Sequence, residues 1–321
     1  MNNKFFLLMI ISIVVFAVPG LVFGWGVATH AYIAKELGHE PGVMNLQEMY
    51  GAVVPDMFNL MYGYEHQGFL WNKTHYEFVK VVDEGKLDES KAFGYGFASH
   101  NEEWGADHTA HINSVGIKSG EGYVVTKTKI LAPQLKLGMR LFLNSKGIAY
   151  TSELLEELSL AIADSAIESA VDLLVSQNED TQIGTRLLAA AKLRSQFVPM
   201  LMSTVYAKDF AGEAAIIAEE AILLIVETET QFKEYMELYG GILTQQNAVD
   251  LMAGQGAQIA EQMLEERYGI IVDVPAELMK TGLLSAVDVV KYDYSEELAA
   301  TLYYVAVQLG SHGVEYQLSG D

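Results

Sequence analysis

Residues 152–176 have the pattern of an amphipathic helix whose apolar side is interrupted by carboxylates. Asp164 and Glu168 stand about one turn apart among Ile162, Ala163, Ala166, Ile167 and Ala170, and Asp172 continues that face. Two acids on one face repel each other, and taking them out of water carries a large desolvation penalty. Such a helix packs into a core when a cation or a proton lies between the acids; otherwise this edge faces water. Ser152 is the expected N-cap, and Glu153, Glu156 and Glu157 favour the first turns.

A second stretch, His100-Asn-Glu-Glu-Trp-Gly-Ala-Asp-His-Thr-Ala-His111, holds three of the eight histidines. Its surroundings predict one helix over residues 90–114. At about 100° per residue, Glu103, Asp107 and His111 share a stripe, with His100 one turn earlier, and His108 falls about 80° away. Imidazole and carboxylate on one face suit zinc or a similar divalent ion. The alternative is a solvated polar face on a half-buried helix.

The first 24 residues read as a secretory signal. Lys4 is its basic start, residues 5–18 are apolar and uncharged, and Val22-Phe23-Gly24 ends in a small residue. Cleavage after Gly24 leaves Trp25 as the new N-terminus; an uncleaved anchor is the alternative. A free amino group at Trp25 can ligate a metal, and His30 lies a little over one turn along a helix expected to start at Thr29 and end at Gly38. Taken alone, Trp25 is equally a core aromatic and His30 a hydrogen-bonded histidine at the core's edge.

Further along, the pattern predicts a short helix over 46–53, a bend at Pro55-Asp56, and a loop over 61–73. His75 opens a segment, 75–82, that reads as helix or strand. Asp56 alone would be a turn residue bonding its own backbone, and His75 a half-buried helix residue. A glycine-rich loop follows at 116–123. Helices are expected at 187–206 with a kink at Pro199, and at 211–238, 244–268 and 295–309. His39, His66, His312 and Glu315 read as surface residues, as do Glu219, Glu220, Glu227 and Glu229. No repeat, low-complexity tract or Gly/Ser linker divides the chain, so residues 25–321 are expected to form one all-α domain.

Cysteine is absent, which removes disulfides, thiolate zinc sites and a cysteine nucleophile. The formal charge of −22 opposes non-specific binding to nucleic acid and to anionic membranes.

Taken together, Trp25-Gly-Val-Ala-Thr-His30, Pro55-Asp56, His75, Asp107-His-Thr-Ala-His111 and Asp164-Ser-Ala-Ile-Glu168 resemble the zinc-dependent phospholipase C family and its structural relatives, the secreted single-strand-specific zinc nucleases. The pieces follow that family's order over residues 25–172. The resemblance implies a mostly helical fold holding up to three clustered zinc ions. Trp25, through its amino and carbonyl groups, and His30 would hold one ion. Asp56, His75, His100 and Asp107 would hold another, with Asp107 bridging. His111, Asp164 and Glu168 would complete the remaining positions.

Two departures stand out. The family's helix spacing is His-x-x-x-Asp, but here His100 precedes Asp107 by seven residues and Glu103 holds the i−4 place, so either residue is the candidate ligand. Asp164 stands where the family has histidine, and more carboxylate favours harder cations than zinc.

The implied activity is metal-assisted hydrolysis of a phosphodiester by an exported protein, with Asp56 orienting or activating water. The acidic charge favours a phospholipid or small ester over nucleic acid, and Tyr62, Tyr64, Phe69 and Trp71 are candidates for an apolar rim in peripheral contact with lipid. A nuclease-like enzyme, or a non-enzymatic helical protein with a structural or degenerate metal site, are the alternatives.

Overall fold

The computed structural model describes residues 24–38, 42–61 and 64–315. The expected signal segment, Gly24 excepted, lies outside the described residues, as do His39 and Tyr62.

The described residues form helices and no strands. In chain order these are α1 (Val27–Leu37), α2 (Val43–Val53), a 3-10 helix (Val54–Leu60), α3 (Gln67–Tyr76), α4 (Val79–Glu84) and α5 (Asp88–His100). A π-turn (His108–Ile112) leads to α6 (Tyr123–Ser145) and α7 (Ser152–Leu174), the latter extended by a second π-turn (Val175–Glu179). The remainder is α8 (Ile183–Leu193), α9 (Val198–Ala214), α10 (Ala218–Leu243), α11 (Ala248–Tyr268), α12 (Ala276–Val290) and α13 (Tyr294–Ser311). The all-α expectation therefore holds.

Several boundaries differ from the sequence pattern, each for a local reason. Thr29 is not the cap of α1. Gly26 occupies that position without a side chain, and the capping group comes from α7, where Asp172 accepts the N–H groups of Ala28 and Thr29 at 2.9 and 2.7 Å. Thr151, not Ser152, caps α7, accepting from Leu154 N at 3.1 Å. Pro55 does not bend the chain away; it sits in the first turn of the 3-10 helix, where a missing N–H costs nothing. The expected loop over 61–73 is largely α3.

Pro199 starts a new helix instead of kinking an old one, because the chain leaves helix at residues 194–197. Ala215, at φ +53°, separates α9 from α10 inside the span predicted as one helix. The sequence pattern did not delimit α6, which carries Pro133 in its interior, or α12.

The larger hydrophobic core draws on α1, α2, α5 and α7–α10 and takes in α13. A smaller one lies between α6, α7, α11 and α12, around Leu143, Leu158 and Leu264. Helix α7 serves both, turning Ala163, Ile167, Ala170 and Val171 to the larger core and Leu155 and Leu158 to the smaller.

The closest crossing is α2 on α5. A Cβ on Gly96 would lie 1.9 Å from the Glu48 carbonyl oxygen, and one on Gly51 would lie 2.1 Å from that of Phe93. Paired glycines let the two backbones touch, and that contact brings the Ala52 carbonyl within 2.8 Å of His100 Nδ1. Gly96→Ala should force the helices apart, destabilising the protein by about 1–3 kcal/mol or more. It should also lower metal binding with the displaced His100; a denaturation midpoint and metal content equal to wild type would show that the crossing does not set the histidine.

Glu229, expected at the surface, is fully buried. It accepts the Tyr50 hydroxyl at 2.8 Å and pairs with Arg194 Nε at 2.8 Å, so a charge on the buried side of α10 ties α2 and the end of α8 together. Glu219, Glu220 and Glu227 are exposed, as expected.

Candidate metal centre

The expected single helix over residues 90–114 is broken at Asn101. There the backbone turns extended (φ −31°, ψ 158°) and the Asn101 Oδ1 accepts the N–H groups of Glu103, Trp104 and Gly105 at 2.9, 2.9 and 3.2 Å. Asparagine competes well with helical hydrogen bonding in this way. Gly105 permits the tight return, since a Cβ there would sit 2.5 Å from the His100 carbonyl carbon. The chain doubles back, and Asp107 comes to lie against His100, with Nε2 to Oδ2 at 2.9 Å. The seven-residue spacing thus works through a turn, not along a helix. Glu103, the competing ligand, is exposed, while Glu102 is turned inward and buried.

Around Asp107, ligand atoms from five segments converge. His30 Nε2 of α1 lies 3.0 Å from Oδ1, and His75 Nε2 of α3 lies 3.4 Å from Oδ2. The Nε2 atoms of His75 and His100 are 3.1 Å apart, and Asp56 Oδ1 is 3.6 and 3.9 Å from them. Each of these two histidines sets its ring with Nδ1 on a backbone carbonyl, His100 on Ala52 and His75 on Trp71, both at 2.8 Å. With Nδ1–H committed to a carbonyl, it is Nε2 that faces the cluster and becomes the lone-pair donor once deprotonated. His30 stacks on His100 and Trp71 on His75, with ring centroids 4.1 and 4.0 Å apart. Asn59 donates to Asp56 Oδ1 at 3.0 Å and steadies it.

A neighbouring group forms at the π-turn. His111 Nδ1 is hydrogen-bonded to Glu102 Oε1, and Glu102, Asp107 and His111 together present three ligand atoms to one point. On α7 Glu168 is buried and Asp164 is half-buried, bonded by Thr128 at 3.1 Å; neither joins a triad of converging ligand atoms among the described residues. Asp172, on the same helix face, belongs to the capping of α1.

Charges follow the geometry. Burial pushes the Asp107 carboxyl up, but His100 and His30 outweigh it and hold the group well below the ordinary carboxylate range. Burial would lower His75, yet Asp107 and Asp56 raise it to about 10. His30 is lowered by burial and by His100. Glu168 is pushed well above its ordinary value by burial, then by Asp164, Asp56, Asp107 and Asp172, which marks it as facing the acidic cluster.

Three buried triads, His30/His100/Asp107, Asp56/His75/His100 and Glu102/Asp107/His111, could each hold a metal ion. The ligand atoms fit that use. His30 Nε2, both Asp107 oxygens, Glu102 Oε2, His111 Nε2 and Glu168 Oε1 are buried without a hydrogen bond. The His30–Asp107 contact is within ion-pair distance but lacks hydrogen-bond alignment. Buried polar atoms normally find partners, and so many orphans aimed at one another match a set of ligands.

Trp25 is placed differently. Its indole Nε1 donates to Thr109 at 3.0 Å and its ring stacks on Tyr123, so the side chain is core. Its backbone nitrogen is joined to Gly24 in this chain, so the expected amino-terminal ligand exists only in a chain cut between those two residues. The preceding residue, Gly24, packs so closely that a Cβ would lie 1.3 Å from Asp107 Oδ1. Among the rim candidates, Trp71 adjoins the site, whereas Tyr64 packs edge-on against Phe210. His66 and His108 stand outside the cluster, His108 stacked on Tyr304.

Two outcomes test the arrangement. Glu103→Ala should leave metal content unchanged and stability within about 0.5 kcal/mol, as at most exposed positions, whereas His100→Ala should lose metal. Equal loss from both would restore Glu103 as a ligand. Metal uptake should also release a proton. Because His75 in the metal-free protein titrates near 10, it is protonated at neutral pH and must deprotonate to ligate. Apparent affinity should fall about tenfold per unit of pH lowered below that value for each proton displaced. Titration calorimetry in buffers of different ionisation enthalpy reads this directly; a buffer-independent heat would remove the protonated His75.

No family model, curated protein or solved structure matches this chain.

Proposed function

We propose that this protein is a phospholipase C-like hydrolase that cleaves phosphodiesters with clustered divalent ions, most simply zinc. The observation that carries this reading is the convergence of Asp56, His75, His100 and Asp107, with His30 on the other oxygen of the Asp107 carboxylate. The order of those residues along the chain resembles that of the zinc-dependent phospholipase C family. The donor set of imidazoles and carboxylates suits zinc, and the carboxylate-rich group around Glu102 and Glu168 suits a harder ion such as manganese equally well.

Asp56, His75, His100 and Asp107 would hold one ion, His30 and Asp107 a second, and His111 with Glu102, Asp164 and Glu168 a third. Bound divalent ions supply Lewis-acid polarisation of a phosphoryl oxygen and a water of lowered pKa. The chain's own contribution is to orient and to accept a proton. Burial acts to raise Asp56, but His100 and His75 hold it below its ordinary value, so it is ionised at neutral pH and available as a base. Trp71 shields His75 from water on one face.

Export with cleavage after Gly24 is part of the same reading. Removing Gly24 would vacate the space against Asp107 and leave the amino group of Trp25 beside that carboxylate. The net charge of −22 favours a lipid or small ester over a nucleic-acid strand.

The test is metal analysis of the purified protein together with hydrolysis of phosphatidylcholine and of single-stranded DNA. Two or three ions per chain with chelator-sensitive release of phosphocholine supports the proposal. Cleavage of DNA alone would move the protein to the nuclease-like reading. A metal-free, chelator-indifferent protein without turnover would make it a helical protein with a degenerate site.

A further inference from the structure

A second site lies on the other side of α7. The side chains at 158, 162, 165, 166 and 169 lie roughly 100° around that helix from the carboxylates at 164, 168 and 172. They line a cavity shared with α6, α11 and α12, of about 170 Å3 and partly open to solvent. An apolar cavity of about 150 Å3 already admits a ligand the size of benzene, so the space is of ligand-binding size. Its walls are aliphatic and aromatic, with Met139, Phe142, Leu158, Leu264 and Leu283 among them.

Three features separate it from a packing defect. Its wall includes glycines that no close helix contact requires. A Cβ on Gly138 would meet only Leu278, at 3.8 Å, and one on Gly282 only Leu135, at 3.4 Å. The Ser165 hydroxyl, on the cavity wall and 3 % exposed, has no hydrogen-bond partner. A buried hydroxyl left unpaired is costly, and a ligand hydroxyl or carbonyl would relieve that cost. Third, an apolar stripe on α6 adjoins the cavity wall: Ile130, Leu137 and Leu141 are 50 %, 50 % and 61 % exposed and fall within about 60° of the cavity-lining Gln134 on that helix.

We infer that this cavity binds one aliphatic chain of an uncharged lipid, such as a long-chain alcohol or a monoacylglycerol, delivered across the Ile130/Leu137/Leu141 lip. Among the described residues, no lysine, arginine, aspartate or glutamate lines the cavity. A carboxylate or ammonium head would therefore be buried without a counter-charge, and an uncharged head is selected. The polar side chains that are present, Gln134, Ser165, Ser169, Thr281 and Ser285, are all uncharged and match a hydroxyl or ester. The site does not depend on the metal cluster and stands whether or not the protein hydrolyses phosphodiesters.

The test is titration of the full chain with 1-dodecanol and with dodecanoate. Saturable binding of the alcohol at one per chain is expected, with dodecanoate weaker by about tenfold or more. Gly138→Leu and Gly282→Leu fill the space and should each weaken dodecanol binding by about tenfold or more, with helicity and metal content unchanged. Ser165→Ala should weaken it by a smaller factor. Absence of saturable dodecanol binding, equal binding of dodecanoate, or undiminished binding to a folded Gly282→Leu protein would each overturn the inference. The alcohol-against-carboxylate comparison uses only the unmodified chain, so it stands even where a filled variant fails to fold.

Discussion

Asp107→Asn is expected to remove two of the bound ions at once and to abolish hydrolysis. Asp107 is fully buried, and its two oxygens face different histidines, Oδ1 toward His30 and Oδ2 toward His75 and His100. An amide keeps the shape but offers one neutral oxygen and a nitrogen that cannot ligate, so the His30/His100/Asp107 triad loses its only carboxylate and the Glu102/Asp107/His111 triad loses one of two. Metal stabilisation of a phosphoryl-transfer transition state amounts to several kcal/mol, and each 1.4 kcal/mol is about tenfold, so the rate should fall by about a thousandfold or more. Metal content by mass spectrometry and turnover on phosphatidylcholine are the measurements. Unchanged stoichiometry would show that Asp107 does not bridge.

Asp172→Ala is expected to have the largest effect on stability. The Asp172 carboxylate is buried and accepts four hydrogen bonds, from Ala28 N, Thr29 N, Thr29 Oγ1 and the Tyr239 hydroxyl, at 2.7–2.9 Å. Burial raises its pKa and those donors pull against the rise, so the group is costly in isolation and tolerable only with its partners. Alanine leaves two helix-terminal N–H groups and two hydroxyls at buried residues where water does not reach. A loss of about 3–5 kcal/mol is expected, the range for breaking a buried charged network by removing one partner. Because these bonds set the start of α1, His30 should shift and metal affinity fall alongside. Gly26 leaves little alternative, since a Cβ there would meet Asp172 within 2.6 Å. Denaturant unfolding of the variant with and without metal measures both effects; a loss under about 1 kcal/mol would mean that α1 is held elsewhere.

Two other contacts hold the site from a distance. Glu297 of α13 accepts the N–H groups of Val115, Gly116 and Ile117 at 2.7–2.9 Å, clamping the loop that follows His111. Thr109 receives the Trp25 indole and meets Thr301 of α13 at 2.9 Å, joining Trp25, the π-turn and helix α13. Residues beyond 172, which show no motif in the sequence, thus shape the cluster by supporting it.

The class of fold was legible because helical periodicity is local: apolar residues recurring at three and four positions identify helices before any partner is known. The helix ends were less legible where the capping group came from afar, as Asp172 does for α1, or where a turn was hidden inside a good pattern, as at Ala215. Most of the candidate ligands, His30, Asp56, His75, His100, Asp107, His111 and Glu168, were also visible, since buried imidazoles and acids in apolar surroundings need partners. The sequence by itself determined which imidazoles and acids stand among apolar residues, where they need either partners or water. Which of two adjacent glutamates faces inward was decided only by tertiary structure. A continuous helix would have turned Glu103 toward Asp107. The Asn101 turn, held by three backbone N–H groups and permitted by Gly105, turns Glu102 in and leaves Glu103 in water, because the chain there follows its hydrogen bonds and not its average periodicity.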